Sequence, residues 1–281
     1  RFGGGGSMSS LHEVTGKNHL SYSSVKNYAN CGEMFRLERV VGIATTGNWA
    51  MFAGKVFHLA TEYLDNGTCT LVEEALDVAW DVEAKEIDDM GELRGGGKNQ
   101  VENGDYWREH LPLHLQGYVE WRDDRFEQGW EWLLIDDKPA IEFVVKGKFG
   151  EVEVLGFIDR AMRSPEGDVF VIDLKSGKMA PSREQLDVYA DLMKQQYDIS
   201  VAFGSYYMSR KSAIGDTFLM DRGGQILADW WTTVASGITN EVFMPNPNPL
   251  CGICQVKPWC RLKGDPELIK VHSQNTSKGI K

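Results

Sequence analysis

The chain has no apolar run long enough to cross a bilayer. Even Trp230-Trp231 sits among Asp229, Thr232 and Thr233, whereas a spanning helix needs about 20 mostly apolar residues. The apolar centre of a secretory signal is also missing. The opening Arg1-Phe-Gly-Gly-Gly-Gly-Ser7 reads as a linker or tag remnant ahead of Met8 and takes no part in the fold argument. A soluble, cytoplasmic protein without a membrane partner is expected. There is no Walker loop: Gly95-Gly-Gly-Lys98 lacks the spacing and the final Ser or Thr, which argues against a nucleotide-driven motor. Cations are scarce, with 30 Lys and Arg against 41 Asp and Glu and a net charge of −11. That balance excludes a broadly basic nucleic-acid surface and leaves room only for a local one.

What is present is a chain of 281 residues, 42% of them hydrophobic, enough for one large core. A single domain over 8–281 is expected, with its centre in about 140–210. Much of the acid excess falls in Glu73 to Glu92, an amphipathic helical stretch with Val72, Leu76 and Trp80 on its apolar side. Basic residues gather elsewhere, among them Arg160, Arg163, Lys175, Lys178 and Arg183. Residues 91–115, rich in Gly, Asn and charge, read as a surface insertion, with a mobile loop bordering a substrate groove as the alternative.

Two short strings carry the chemistry. Val169-Phe-Val-Ile172 reads as a buried strand that runs into Asp173-Leu-Lys-Ser-Gly177, and alternation along a strand puts Asp173 and Lys175 on one face. Gly156-Phe-Ile-Asp-Arg160 ends a similar pattern, and Ser164-Pro-Glu-Gly167 between the two has hairpin composition. Pairing the strands crowds Asp159 against Asp173, and two such carboxylates repel unless a cation or a proton sits between them. A carboxylate-held divalent cation beside an ammonium is a phosphodiester-cleaving arrangement. His58 and Glu62 fall one turn apart on a helix near Trp49 to Leu64, where the histidine is a metal ligand, a phosphate contact or an ordinary hydrogen-bonded residue. Gln185 and Tyr189 share a face of the helix that begins at Pro181-Ser182, at the edge of the same cleft. The order helix, three strands, helix, strand predicts a mixed sheet with helices on its faces.

Of five cysteines, Cys31 stands near the start and Cys251, Cys254 and Cys260 lie close together near the end. Four thiolates suit tetrahedral zinc or an iron-sulfur cluster, and a distant single plus a close trio leans toward iron-sulfur. Such a cluster would clasp the two ends of the chain. Cys69 reads as an incidental thiol.

In their order along the chain, Cys31, Gly54-xxx-His58, Gly156-xx-Asp159-Arg160, Asp173-x-Lys175, Gln185-xxx-Tyr189 and the cysteine trio resemble the PD-(D/E)XK nuclease superfamily. The resemblance is specifically to its RecB-like iron-sulfur branch, as in AddB nuclease domains and the CRISPR-associated Cas-four exonucleases. It implies an α/β restriction-endonuclease-like fold, a mixed central sheet flanked by helices with an iron-sulfur clasp joining segments at 31 and 251–260. It implies that His58, Asp159 and Asp173, with the Leu174 carbonyl, bind Mg or Mn, and that Lys175 positions the attacking water. Gln185 and Tyr189, with the basic Arg160 and Lys178, would place DNA, and Cys31, Cys251, Cys254 and Cys260 would hold [4Fe-4S]. Gly32 where the family often has Pro, and Asp173 where it often has Glu, are departures that leave the chemistry intact. Without helicase motifs, a stand-alone enzyme is expected, of the kind found in phages and beside CRISPR systems. The expected activity is a metal-dependent DNA exonuclease acting on single-stranded ends; the alternatives are a structure-selective endonuclease and a non-catalytic DNA-binding or adaptor protein of the same fold.

Overall fold

The computed structural model describes residues 9–87 and 93–270. The N-terminal segment read as a linker, and the 88–92 end of the acidic stretch, lie outside them. In chain order the helices and strands are α1 (Leu11–Thr15), β1 (His19–Leu20), α2 (Tyr22–Asn30), α3 (Gly32–Phe35), α4 (Trp49–Asp65), α5 (Val72–Ile87) and α6 (Gly104–Glu127). Then come β2 (Glu131–Trp132), β3 (Leu134–Ile135), β4 (Lys138–Pro139), β5 (Ile141–Phe149), β6 (Val152–Arg163) and β7 (Val169–Lys175). The chain continues through α7 (Glu184–Tyr197), β8 (Phe203–Met208), β9 (Ala213–Leu219) and α8 (Gln225–Thr239). Two compact units divide the chain: Thr46–Lys146 with Gly156–Gly223, and Arg1–Thr45 with Gly147–Leu155 and Gly224–Lys281. Among the described residues no helix is long and apolar enough to cross a membrane.

The first of these units holds the mixed sheet with flanking helices that the sequence pattern predicts. β6 and β7 are antiparallel, with Arg160 opposite Ile172 and Met162 opposite Phe170. β7 and β8 run parallel, with Asp173 beside Tyr206 and Lys175 beside Met208, and β9 closes antiparallel on β8. Because β7 alternates, Ile172 and Leu174 point into a core built with Phe57, Ala60, Trp107, Leu111, Leu115 and Tyr118. Burial of each large side chain there contributes about 1.5–3 kcal/mol. The opposite alternation leaves Asp173 and Lys175 together. α7 covers the sheet through Leu186, Leu192 and Met193. At Gly156 a Cβ would come within 3.3 Å of Tyr189 and 3.2 Å of Leu192, so glycine lets β6 approach that helix. At Gly54 a Cβ would lie 2.9 Å from Ser176 Oγ, and glycine there brings α4 against the end of β7. Within the stretch 91–115 expected as a surface insertion, the part from Gly104 on is instead α6, whose Trp107, Leu111, Leu115 and Tyr118 lie at helical spacing and are buried.

In the other unit, the Ser21 side chain accepts from the Ser24 N–H and caps α2. Tyr28 packs edge-on against Phe35 and Phe243 and donates its hydroxyl to the Val242 carbonyl at 2.5 Å. Here the iron-sulfur clasp must be corrected. The cysteines are free thiols, and among the described residues the His, Cys, Asp and Glu side chains whose ligand atoms converge within 4.8 Å are His58, Glu142 and Asp159, with no cysteine in the group. Cys31, Cys251, Cys254 and Cys260 therefore form neither a [4Fe-4S] site nor the zinc alternative. Burial pushes the Cys254 thiol up, with Glu38, Cys31 and Cys260 adding to it. Early and late segments are joined by hydrogen bonds. Asn246 and Asn248 side chains donate to the Asn30 carbonyl at 3.0 and 3.2 Å, and the Asn246 N–H reaches Cys31 Sγ at 3.4 Å. Glu33, fully buried, accepts from Arg36 Nε at 2.9 Å and from Arg261 Nε at 2.9 Å. Glu33→Gln should lower unfolding free energy by about 2–4 kcal/mol in urea titration; an unchanged midpoint would show that this carboxylate does not tie the segments.

Candidate metal centre

The site is assembled from α4, the start of β5, β6 and the end of β7. Residues 58, 61 and 65 lie three and four apart, so His58, Thr61 and Asp65 share one face of α4. His58 Nε2–H donates to the Leu174 carbonyl at 3.0 Å, which turns Nδ1 toward Glu142 Oε1 and Asp159 Oδ1, each 3.5 Å away. A ligating imidazole is usually oriented in this way, by donating from its other nitrogen to a carbonyl. Asp159 Oδ2 accepts the Leu174 N–H at 2.6 Å, so both polar groups of the Leu174 backbone orient ligands.

Glu142 completes the convergent group, and the sequence reading did not single it out. It sits at the start of β5 with φ +45°, a left-handed backbone rare outside glycine. Such a conformation persists only where its surroundings hold it. Arg160 fixes the carboxylate that this backbone presents. Expected at the DNA, Arg160 is wholly buried: Nε meets Asp65 Oδ2 at 2.5 Å, Nη1 donates to Glu142 Oε1 at 3.1 Å and to the Asp159 carbonyl at 2.6 Å, and Nη2 donates to Thr61 Oγ1 at 2.9 Å. Asp65, also buried, accepts from Arg122 at 2.9 Å and from the Tyr118 hydroxyl at 2.5 Å.

Asp173 stands beside the convergent group. Its Oδ1 accepts from Gln185 Nε2 at 2.9 Å and its Oδ2 contacts the Lys175 ammonium. Gln185 also donates to the Tyr189 hydroxyl at 2.7 Å, so these two helix residues hold the acid in place. The Lys175 ammonium lies 5.7 Å from the Tyr206 ring centre. Lys178, further along and 64% exposed, pairs with Glu102 at 2.7 Å. A cavity of about 900 Å³ opens beside the centre, lined by His58, Glu142, Ser176, Lys178 and Arg210 among others.

Charge divides the acids. Burial and then the Asp159 charge raise the Asp173 carboxyl to about 6 against the pull of Lys175. Asp159, although buried, is held below the ordinary carboxylate value by His58 and Lys175. Burial would depress His58, yet Asp159 and Glu142 carry its pKa up to about 10. A proton on His58 thus sits where a cation fits. One imidazole nitrogen and two carboxylate oxygens form a donor set that suits Mg or Mn.

A profile of the PD-(D/E)XK nuclease superfamily matches residues 19–261. No curated protein matches the chain. Among solved structures, one titled "Crystal structure of SSO0001" aligns over 86% of this chain and 96% of its own at 16% identity, with a TM-score of 0.35.

Because the His58 pKa is raised, the metal-free protein keeps this proton through neutral pH and gives it up only as pH rises toward about 10. Asp173 gives up its own near 6. A bound cation must displace the first proton and benefits from loss of the second. Manganese binding should therefore tighten from pH 6 to pH 8 and release protons, seen as a buffer-dependent heat in titration calorimetry. An affinity independent of pH, with heat independent of buffer, would contradict this electrostatic arrangement.

Proposed function

The chain belongs to the PD-(D/E)XK nuclease superfamily, and from that premise we propose that it is a metal-dependent deoxyribonuclease that hydrolyses DNA from single-stranded ends. The observation that carries the reading is the convergence of His58, Glu142 and Asp159 beside the Asp173 and Lys175 pair. A divalent cation held by the three would supply positive charge to a phosphoryl oxygen and acidify a nearby water. The chain's own residues do the rest. Asp173, pinned by Gln185, aims the Lys175 ammonium; that ammonium orients the attacking water and meets the charge that grows on phosphate. Gln185 and Tyr189 act on the strand by fixing Asp173, and Lys178 stands in the adjoining cavity as a phosphate contact. Arg160 works from beneath, holding Glu142 and the Asp159 backbone in register.

The open cavity of about 900 Å³ beside the acids is where a DNA strand would lie, and an unpaired strand is the substrate that the RecB-like resemblance implies. The order Gly54-xxx-His58, Gly156-xx-Asp159-Arg160, Asp173-x-Lys175, Gln185-xxx-Tyr189 supports a RecB-like place within the superfamily. The test is incubation with end-labelled linear and circular single-stranded DNA, with Mn, with Mg and with chelator, alongside Lys175→Ala. Loss of the linear strand alone is expected, abolished by chelator and slowed at least about 100-fold by the substitution. Cutting of the circle would make the enzyme an endonuclease, and intact DNA throughout would leave only a binding role.

A further inference from the structure

The cations that line the cavity beside the metal centre are already engaged by carboxylates. Glu102, 9% exposed, meets Lys178 Nζ through Oε1 at 2.7 Å and Arg210 Nη2 through Oε2 at 2.8 Å. Arg210 Nη1 also approaches Oε1 at 3.5 Å, so the guanidinium is gripped by both oxygens. Arg210 is otherwise built in. It follows β8, and its Nε–H donates to the Ser176 carbonyl just after β7 at 2.9 Å. Its guanidinium lies 4.6 Å from the Trp107 ring centre. Since β7 and β8 are parallel, Arg210 and Lys178 stand at the same strand-end edge as Lys175.

Glu102 arrives on a separate strap. Gly96 and Glu102 exchange both backbone hydrogen bonds at 3.0 Å, a Cβ at Gly95 would fall 2.3 Å from the Gln100 carbonyl oxygen, and Gly97, Asn99 and Gln100 all have positive φ. The glycines therefore serve a tight turn that delivers one carboxylate to two cations. Lys178 and Arg210 hold that carboxyl below its usual value against burial, and it stays ionised at neutral pH. A carboxylate held side-on by arginine and end-on by lysine presents the charge and acceptor pattern of the two free oxygens of a phosphodiester. One negative charge between two cations also leaves the pair net positive, in the cavity that His58 and Glu142 line.

We propose that Lys178 and Arg210 form a backbone-phosphate subsite for the strand entering the metal centre, and that Glu102 occupies this subsite as a stand-in for phosphate until the strand displaces it. This rests on the nuclease reading and adds to it a residue, Arg210, that sets where the strand lies. Glu102 competes with substrate, so neutralising it strengthens binding, whereas a merely structural ion pair would leave binding unchanged or weaken it.

The experiment is fluorescence anisotropy with a labelled single-stranded oligonucleotide, in chelator so that nothing is cut, across a NaCl series. Glu102→Gln should tighten binding about three- to tenfold. Lys178→Ala and Arg210→Ala should each weaken it and lower the salt slope by about one. In the doubly substituted Lys178→Ala, Arg210→Ala protein, Glu102→Gln should have no effect on binding. Because Arg210 rests on Trp107, the exposed Lys178 carries the cycle if the arginine variant does not fold. Unchanged or weaker binding by Glu102→Gln, in protein with the parent's thermal midpoint, overturns the subsite while cleavage by the parent leaves the nuclease reading standing. A parent that neither binds nor cuts DNA overturns both.

Discussion

The Arg160 guanidinium lies wholly out of solvent among Asp65, Thr61, Tyr118, Glu142 and the Asp159 carbonyl. A charge so placed is tolerated only with a partner and with its donors satisfied, and stripping one partner from such a pair costs about 3–5 kcal/mol. Asp65 supplies the opposite charge and is itself tied to Arg122 and Tyr118. Of the remaining donors, Nη2 goes to Thr61 and Nη1 to the Glu142 side chain and the Asp159 carbonyl of the metal-facing acids. The requirement that buries and neutralises Arg160 is thus the one that aims Glu142 and Asp159 at His58. α4 contributes to both layers, with His58 in the site and Thr61 and Asp65 beneath it.

Above that foundation the electrostatics separate like groups. Asp159 and Asp173 are both buried aspartates on neighbouring strands, yet one is held ionised by His58 and Lys175 while the other is lifted to about 6 by burial and by its neighbour's charge. A cation held by His58, Glu142 and Asp159 would relieve that repulsion, and until then the His58 proton takes its place. The Leu174 backbone serves the same end, offering its carbonyl to His58 and its N–H to Asp159.

Much of this was legible in the residues. The apolar run before Asp173 predicted β7, the turn composition of 164–167 predicted its pairing with β6, and the helix expected near Trp49 to Leu64 is α4. Local patterns decided these elements, because period and turn chemistry act over a few residues. α6 was obscured by Pro112 within it and by the Gly-rich stretch ahead of it, although 107, 111, 115 and 118 keep helical spacing. Glu142 was invisible because a glutamate at the start of a strand reads as solvent-facing, and only contacts with residues 58, 159 and 160 reveal otherwise. Arg160 read as a DNA contact for the same reason: its partners at 61, 65 and 118 lie far away in sequence. The cysteines misled in the opposite sense, since close spacing of 251, 254 and 260 says nothing of where Cys31 Sγ lies, and the thiols do not converge as ligands.

The central claim is that Glu142, aimed by Arg160, is a metal ligand with His58 and Asp159. Its most direct test is manganese binding to the parent and to Glu142→Gln, followed by the paramagnetic resonance of the free ion at pH 8. The account predicts affinity weaker by at least about tenfold in a protein that remains folded. Equal affinity in the two would contradict it.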